Sequence, residues 1–147
     1  MAYSFYGWQN AVCRPVTDKY KGIDSPRILY DALMQVWCEY TCTPRLRPEW
    51  SRENITLGQC SITAFLVQDI FGGEVYGIPR DGGNYHCYNK IGDIVFDLTS
   101  EQFKDEILDY TSNPIQQREV HFSKEEKKKR YEYLCKALAA KCPFMQA

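Results

Sequence analysis

One cysteine near the middle of the chain stands where a nucleophile could be activated. Cys60 follows Gly58 and Gln59 and comes directly before the apolar run that begins at Ile62. The N-terminus of a helix favours a thiolate through its partial positive charge, and its free N–H groups can hold the oxyanion of an acyl transfer. Taken alone, Cys60 is better interpreted as a buried core cysteine, because a nucleophilic thiol also requires a base beside it.

His86 is the candidate base. The chain has two histidines, His86 and His121. An imidazole titrates near neutral pH, which suits it to take the proton of a thiol. A single histidine in a strand is more often structural than catalytic. A carboxylate beside His86 would favour the catalytic interpretation.

Asp97 supplies that carboxylate if the strand register is right. Placing a turn at Ile91–Gly92, with Lys90 opposite Asp93, puts His86 directly opposite Asp97, with their Cβ atoms about 5 Å apart. A carboxylate there would orient the ring and stabilise the imidazolium, as in a catalytic triad. A slip of one residue would place the pair on opposite faces, and Asp97 could instead cap a following helix. We favour the triad.

The first half of the chain supplies the helix that carries Cys60. Ser25–Pro26 predicts a helix start, and apolar residues at helical spacing extend it to about residue 40. Residues 41–57 form a basic, proline-containing loop of a length that is often functional. A second, fully apolar helix begins near Cys60 and ends at Gly72–Gly73.

The second half predicts the sheet and two more helices. Strands are expected at 74–79, 85–89 and 94–98, and Thr99 or Ser100 caps a helix to about residue 110. Residues 111–122 are loop or partly extended. Ser123 and Glu126 form a capping box for a last helix, with Tyr131, Leu134 and Leu138 on its inner face.

This segregation of helices and strands indicates an α+β protein with a small antiparallel sheet of about three strands packed against helices. With 147 residues we expect a single domain, 1–147, with its core at about 25–110 and a C-terminal helix at about 123–141. Residues 1–23, rich in Tyr and Trp, are expected to form an irregular packed arm or a short strand.

Composition limits the setting and the partners. The net charge of −1 does not favour binding to nucleic acid or to an anionic membrane, and no apolar stretch approaches a membrane span. The first residues lack the pattern of a secretion signal, so a cytoplasmic location is expected. The seven cysteines are an odd number and are expected to be free thiols.

Three blocks of residues carry a family resemblance. They are 57–73, beginning Leu-Gly-Gln-Cys-Ser, then His86-Cys-Tyr-Asn, then 96–103, Phe-Asp-Leu-Thr-Ser-Glu-Gln-Phe. In this order and spacing they resemble the YunG-like family of small bacterial proteins, over about residues 50–103. The resemblance implies a bacterial, cytosolic protein and supplies little about function.

The order of Cys60, His86 and Asp97, with the helix first and the hairpin second, is similar to a papain-like or transglutaminase-like core. The third residue departs from the papain pattern, which has Asn. Gln59 lies directly before Cys60, whereas the oxyanion glutamine of papain-like enzymes lies further upstream. Gln59, Trp50 and Tyr88 are retained as weaker candidates for substrate binding or for the oxyanion site.

Two other classes of function stay open. Cys38 and Cys42, with Cys60, His86 and Cys87, could hold structural zinc, although their spacing does not match the usual two close pairs. A binding module that kept the fold could instead use the basic loop, through Arg45, Arg47 and Trp50, for an anionic or peptide ligand.

The basic run 127–130 follows two glutamates and is interpreted as a solvated helix face. The sequence favours a thiol-dependent hydrolase or acyltransferase of amidase or peptidase type, acting on a small-molecule or peptide-like carbonyl substrate. Cys60, His86 and Asp97 are its predicted catalytic residues. No cofactor and no metal is expected, and the oligomeric state is not set by the sequence.

Overall fold

The computed structural model describes residues 3–142. Its helices and strands follow in chain order: α1 Pro26–Leu33, α2 Cys60–Phe71, β1 Glu74–Arg80, β2 Asn84–Ile91, β3 Ile94–Phe96, α3 Arg118–Phe122 and α4 Glu125–Lys141. Short 3₁₀-helices lie between them at Trp8–Asn10, Asp18–Tyr20, Pro44–Glu49, Arg52–Asn54, Asp81–Gly83 and Ser100–Phe103. The prediction of an α+β fold with a three-stranded antiparallel sheet is confirmed.

The strands pair in the order β1-β2-β3. Between β2 and β3, Ile91 pairs with Ile94 and Asn89 pairs with Phe96, so the two turn residues are Gly92 and Asp93. The predicted register is therefore wrong by two residues. Gly92 has φ +60°, a left-handed conformation that glycine adopts without strain. This favours a turn at Gly92–Asp93, one residue later than the predicted turn at Ile91–Gly92.

The slip of two residues preserves the face of every side chain, because strand side chains alternate with a period of two. His86 pairs with Ile78 and Tyr88 pairs with Tyr76 across β1 and β2, on one face of the sheet. Cys87 and Asn89 lie on the other face. The predicted proximity of His86 and Asp97 therefore survives an incorrect pairing.

Helix α2 lies at the centre of the core because it is apolar on most of its circumference. Its buried residues share one apolar cluster with Leu29 and Leu33 of α1 and with Leu134 and Leu138 of α4. Towards the sheet, its Ala64 and Phe65 pack with Val75 and Cys87, and the Asn89 side-chain amide donates to the Ala64 carbonyl at 2.9 Å. The N-terminal arm adds a set of buried apolar residues: Phe5, Ala11, Tyr20 and Ile23.

Helix α1 is shorter than predicted and ends at Leu33 instead of near residue 40. The chain then turns so that Trp37 is buried and its indole N–H donates to Thr63 Oγ1 at 3.0 Å. The loop 41–57 is not structureless, because it contains two 3₁₀-helices.

The helix predicted from Thr99 to about residue 110 is wrong. Only Ser100–Phe103 forms a 3₁₀-helix, and Lys104 after it has φ +55°. The segment that follows is irregular and brings Tyr110 back onto the sheet, where its ring stacks on Tyr6 at 3.9 Å.

The predicted capping box at Ser123 and Glu126 is also wrong. Helix α3 occupies the region expected to be loop, and Ser123 ends α3, with its hydroxyl donating to the Val120 carbonyl at 2.7 Å. The N-cap of α4 is therefore Lys124, without a side-chain cap. Leu134 and Leu138 face inward as predicted, and Arg130 is buried beside them.

Between residues 3 and 142, no helix has both the length and the apolar character that crossing a membrane requires.

Candidate active site

Cys60 is the first residue of α2, as the sequence predicts. No side chain of the described residues caps the first turn of this helix. The Cys60 side chain is half-buried, and Sγ lies 3.8 Å from the Tyr85 carbonyl oxygen, at the start of β2. The thiol therefore sits where the N-terminus of α2 meets the strand that carries His86.

The predicted contact between His86 and Asp97 is present. His86 Nε2 lies 2.6 Å from Asp97 Oδ2, and both side chains are almost completely buried. Because Nε2 contacts Asp97, Nδ1 is the ring nitrogen left for Cys60, which lies close enough to raise the pKa of His86. The ring of Phe103 packs edge-on against the imidazole, with the centroids 4.6 Å apart.

Asp97 is held from three further directions. Tyr110 donates its hydroxyl to Asp97 Oδ2 at 2.7 Å, and Thr99 donates its backbone N–H to Oδ1 at 3.1 Å. The backbone N–H of Asp97 donates to the Tyr6 carbonyl at 3.0 Å. These contacts fix the carboxylate, and with it the orientation of His86.

The electrostatics of the site favour a charged pair. Burial alone would lower the pKa of His86, but Asp97 and Cys60 together raise it to about 10. The hydrogen bond from the Cys87 thiol lowers the pKa of Cys60 most, burial opposes this, and His86 lowers it further, so that it lies well below its ordinary value. The arrangement can therefore hold a thiolate beside an imidazolium at neutral pH.

Cys60 and His86 line a cleft of about 610 Å³. One wall comes from the loop after α1, through Thr43, Pro44, Arg45 and Leu46. Other lining residues come from the β1–β2 connection, including Arg80 and Asn84. Of the loop's basic residues considered for ligand binding, Arg45 lines the cleft, whereas Arg47 donates to the Cys42 carbonyl.

A second histidine and a lysine lie in the same cleft. His121, at the end of α3, and Lys127, in the first turn of α4, both line it. Lys127 Nζ lies 2.8 Å from His121 Nδ1. Lys127 was predicted on a solvated face, but it is half-buried here, unlike its exposed neighbour Lys128.

The three weaker candidates do not line the cleft. Gln59 is fully buried and donates its side-chain amide to the Cys38 carbonyl at 3.1 Å. Trp50 donates its indole N–H to the Ile55 carbonyl, and Tyr88 donates to the Tyr110 carbonyl. The structure thus brings together Cys60, His86 and Asp97, whereas the side chains of Gln59, Trp50 and Tyr88 hydrogen bond elsewhere.

The cysteines proposed as zinc ligands are not gathered at one point. Among residues 3–142, no group of three or more His, Cys, Asp or Glu side chains is arranged to hold a metal ion. Cys42 is buried and donates to the Thr43 carbonyl, whereas Cys87 lies beside Cys60.

Four residues that the structure places at the site are not assigned to the thiol site by the sequence: Cys87, Tyr110, His121 and Lys127. Cys87 looks like any core cysteine, and Tyr110 was assigned to the end of a helix that does not form. Lys127 lies in a basic run that resembles an exposed face. His121 offered a signal, since it is one of only two histidines in the chain.

Fold and cleft together define an α+β protein in which a cysteine, a histidine and an aspartate meet at the N-terminus of a buried helix. Residues 25–143 match the model of the YunG protein family, so the chain belongs to the YunG family. It is 34% identical over 94 residues to a protein of Bacillus subtilis (strain 168) named "Uncharacterized protein YunG", covering 64% of this chain and 70% of that relative. No solved structure matches the chain.

Proposed function

We propose that this protein is a thiol-dependent hydrolase or acyltransferase with Cys60 as nucleophile, His86 as acid and base, and Asp97 as the group that orients His86. The observation that carries the proposal is the 2.6 Å contact between His86 Nε2 and Asp97 Oδ2 beside a half-buried Cys60 at a helix N-terminus. The order of the three residues along the chain is also that of a papain-like or transglutaminase-like core.

The Cys60 thiolate attacks the carbonyl carbon of the substrate. The backbone N–H of Cys60, in the uncapped first turn of α2, binds the oxyanion of the tetrahedral intermediate. The His86 imidazolium then protonates the leaving group from Nδ1, which leaves an acyl-enzyme thioester. Neutral His86 takes a proton from water, or from an acceptor nucleophile, as it attacks the thioester, and Cys60 is released as thiolate.

The proposal predicts that Cys60 reacts as a thiolate below the usual titration range of a cysteine, near pH 8.5. The measurement is the rate of alkylation by iodoacetamide at each cysteine between pH 5 and 9, resolved by peptide mass spectrometry. Cys60 should keep a high rate at the acid end, and His86→Ala should shift its profile to higher pH.

Two comparisons make this measurement decisive. The half-buried Cys13, whose pKa is raised by burial, is an internal control that should become reactive only at alkaline pH. His121→Ala should leave the acid reactivity of Cys60 in place, since burial lowers the pKa of His121 to about 4 and its ring is neutral at pH 5 and above. If Cys60 titrates like Cys13, the enzyme proposal is wrong, and the cleft is better explained as a binding site.

A further inference from the structure

The proposed chemistry leaves one pair of groups in the cleft without a role. His121 and Lys127 lie within hydrogen-bond distance of each other, and burial lowers the pKa of Lys127 while the nearby Cys87 and Cys60 raise it. Neither contacts Asp97, which is occupied by His86, Tyr110 and Thr99. They are positioned on the cleft by α3 and α4, elements that contribute nothing to the proposed triad.

The contacts of His121 fix which atom carries its proton. His121 Nε2 lies 2.9 Å from Gln116 Oε1, which only accepts, so Nε2 carries the hydrogen. Nδ1 is then a lone-pair acceptor for the Lys127 ammonium at 2.8 Å. One N–H of Lys127 is held in this way, and among residues 3–142 its remaining donors have no hydrogen-bond acceptor, so they can serve a ligand in the cleft.

The charges around the cleft leave Lys127 without an acidic partner. The charged lining residues, apart from the histidines, are Arg45, Arg80, Asp81, Lys124, Glu126 and Lys127. Arg80 pairs with Glu106 at 2.8 Å, and Glu126 pairs with Arg130. Within the described part of the chain Lys127 makes no salt bridge with a carboxylate, and its half-buried ammonium, hydrogen bonded to a neutral imidazole and close to Cys60, favours an anion beside it.

We propose that Lys127, oriented by His121 and Gln116, binds an anionic group of the substrate, so that Cys60 acts on acyl compounds that carry a carboxylate or a phosphate near the reacting carbonyl. This inference rests on the proposed function, because it names the substrate class of the same cleft. Arg45 and Lys124, both exposed, line the same cleft and add to its positive charge.

Two alkylating reagents of nearly equal size test this directly. Iodoacetate carries a carboxylate and iodoacetamide carries a neutral amide, and both react with the same Cys60 thiolate. The ratio of their rates at Cys60 is therefore independent of the thiolate fraction. We expect Lys127→Gln, which keeps a donor for His121 but removes the charge, to lower the iodoacetate-to-iodoacetamide ratio by about three- to tenfold, as the loss of one partly screened charge contact implies.

Lys128→Gln is the matched control, since it removes the same charge from the next, exposed position of α4. Lys128→Gln should leave the iodoacetate-to-iodoacetamide ratio at its wild-type value. Lys127→Arg, which keeps the positive charge, should have a ratio close to that value. A ratio that is equal in wild type, Lys127→Gln and Lys128→Gln would overturn the inference. Failure of the proposed function would appear separately, as an alkaline iodoacetamide profile of Cys60 in the wild type.

Competition identifies the anion. Acetate and inorganic phosphate are added separately while iodoacetate alkylates Cys60 at constant ionic strength. The anion that slows the wild-type reaction, and does not slow it in Lys127→Gln, identifies the group as a carboxylate or a phosphate. Slowing that is equal in wild type and Lys127→Gln would contradict a site at Lys127.

Discussion

At the scale of single residues, Cys60 is unusual because two consecutive residues of one strand, Cys87 and His86, both lower its pKa. His86 and Cys87 point to opposite faces of β2, and Cys60 reaches both because it lies at the end of a helix, beside the first residues of that strand. One neighbour supplies a cation and the other a hydrogen-bond donor. Both neighbours lower the pKa of Cys60, one from each face of the sheet.

We predict that the Cys87 thiol lowers the pKa of Cys60 by donating to it. Cys87→Ala removes this donor, so the pKa of Cys60 should rise towards its ordinary value, while His86 still keeps it below. The alkylation rate of Cys60 by iodoacetamide at pH 6 should fall accordingly.

Cys87→Ser is the companion variant, since its hydroxyl can still donate to a thiolate. It should retain more of the rate at pH 6 than Cys87→Ala does, although both variants disturb the same apolar cluster. Equal losses in the two variants would assign the effect to packing and not to the hydrogen bond.

The proximity of His86 and Asp97 could be predicted from the sequence even though the predicted strand register is wrong. A register wrong by two residues keeps both side chains on the same face, and long polar side chains reach a diagonal neighbour. The position of Lys127 in the cleft could not be predicted. Its burial depends on α3 and on Gln116, and the pattern of charges along α4 carries no information about either. Gln59 failed to reach the cleft for a related reason, since its amide is drawn to the Cys38 carbonyl.

At the scale of elements, the start of α2 is set by the glycine that precedes it. Gly58 has φ +73°, and a Cβ built there would lie 2.4 Å from Cys42 Sγ and 3.1 Å from the Thr43 backbone N. The Gly58 carbonyl also accepts from the Thr43 N–H at 2.9 Å. This close approach ties the cleft loop to the first turn of α2 and positions Cys60.

We predict that Gly58→Ala lowers the free energy of unfolding by about 2–4 kcal/mol, the sum of left-handed strain and overpacking. Gly83→Ala is the control, because Gly83 has φ +76° but no atom within 4 Å of its added Cβ. It should cost only about 1 kcal/mol. Urea denaturation of the three proteins measures both values, and equal costs would show that the contact with Cys42 does not matter.

Element boundaries were predictable where the signal is local. The bounds of α2 follow from Cys60 after Gly58 and from Gly72 at its end, and these hold. The helix expected from Thr99 to about residue 110 does not form. Tyr110 instead hydrogen bonds to Asp97 and stacks on the ring of Tyr6. These contacts join residues far apart in the sequence, and the periodicity of a single segment does not reveal them.

At the scale of the whole molecule, the charged pair couples stability to pH. An unfolded chain protonates His86 below about pH 6.5 and Cys60 below about pH 8.5. In the folded protein His86 keeps its proton up to about pH 10, and Cys60 loses its proton well below its ordinary pKa. Between pH 6.5 and 8.5 both states therefore hold one proton on this pair, and its contribution to stability does not change.

The sign of each part follows from its pKa. The raised pKa of His86 gives stability that is complete below about pH 6.5 and is lost as the pH rises to about 10. The lowered pKa of Cys60 gives stability that is complete above about pH 8.5 and is lost as the pH falls through the folded pKa. The two opposite trends cancel over the interval from 6.5 to 8.5 only while both groups are present.

We therefore predict that Cys60→Ala changes how the free energy of unfolding depends on pH, and not only its value at one pH. The variant keeps the His86–Asp97 pair without the compensating thiolate, so its free energy of unfolding should fall from pH 6.5 upward, by at most about 1.4 kcal/mol per pH unit. The wild type should lose nothing from this pair until about pH 8.5. Urea denaturation at half-unit steps from pH 6 to 9 measures the difference between the two curves.

Cys142→Ala controls for the loss of a buried thiol, because burial raises the pKa of Cys142 and it stays protonated across this interval. Its curve should run parallel to that of the wild type between pH 6.5 and 8.5. His121, whose pKa is lowered to about 4 by burial and by Lys127, titrates at more acid pH and is common to all three proteins. If the Cys60→Ala curve is also parallel to the wild type, Cys60 and His86 do not form an ion pair in the folded protein, and the proposed activation of the thiol fails with it.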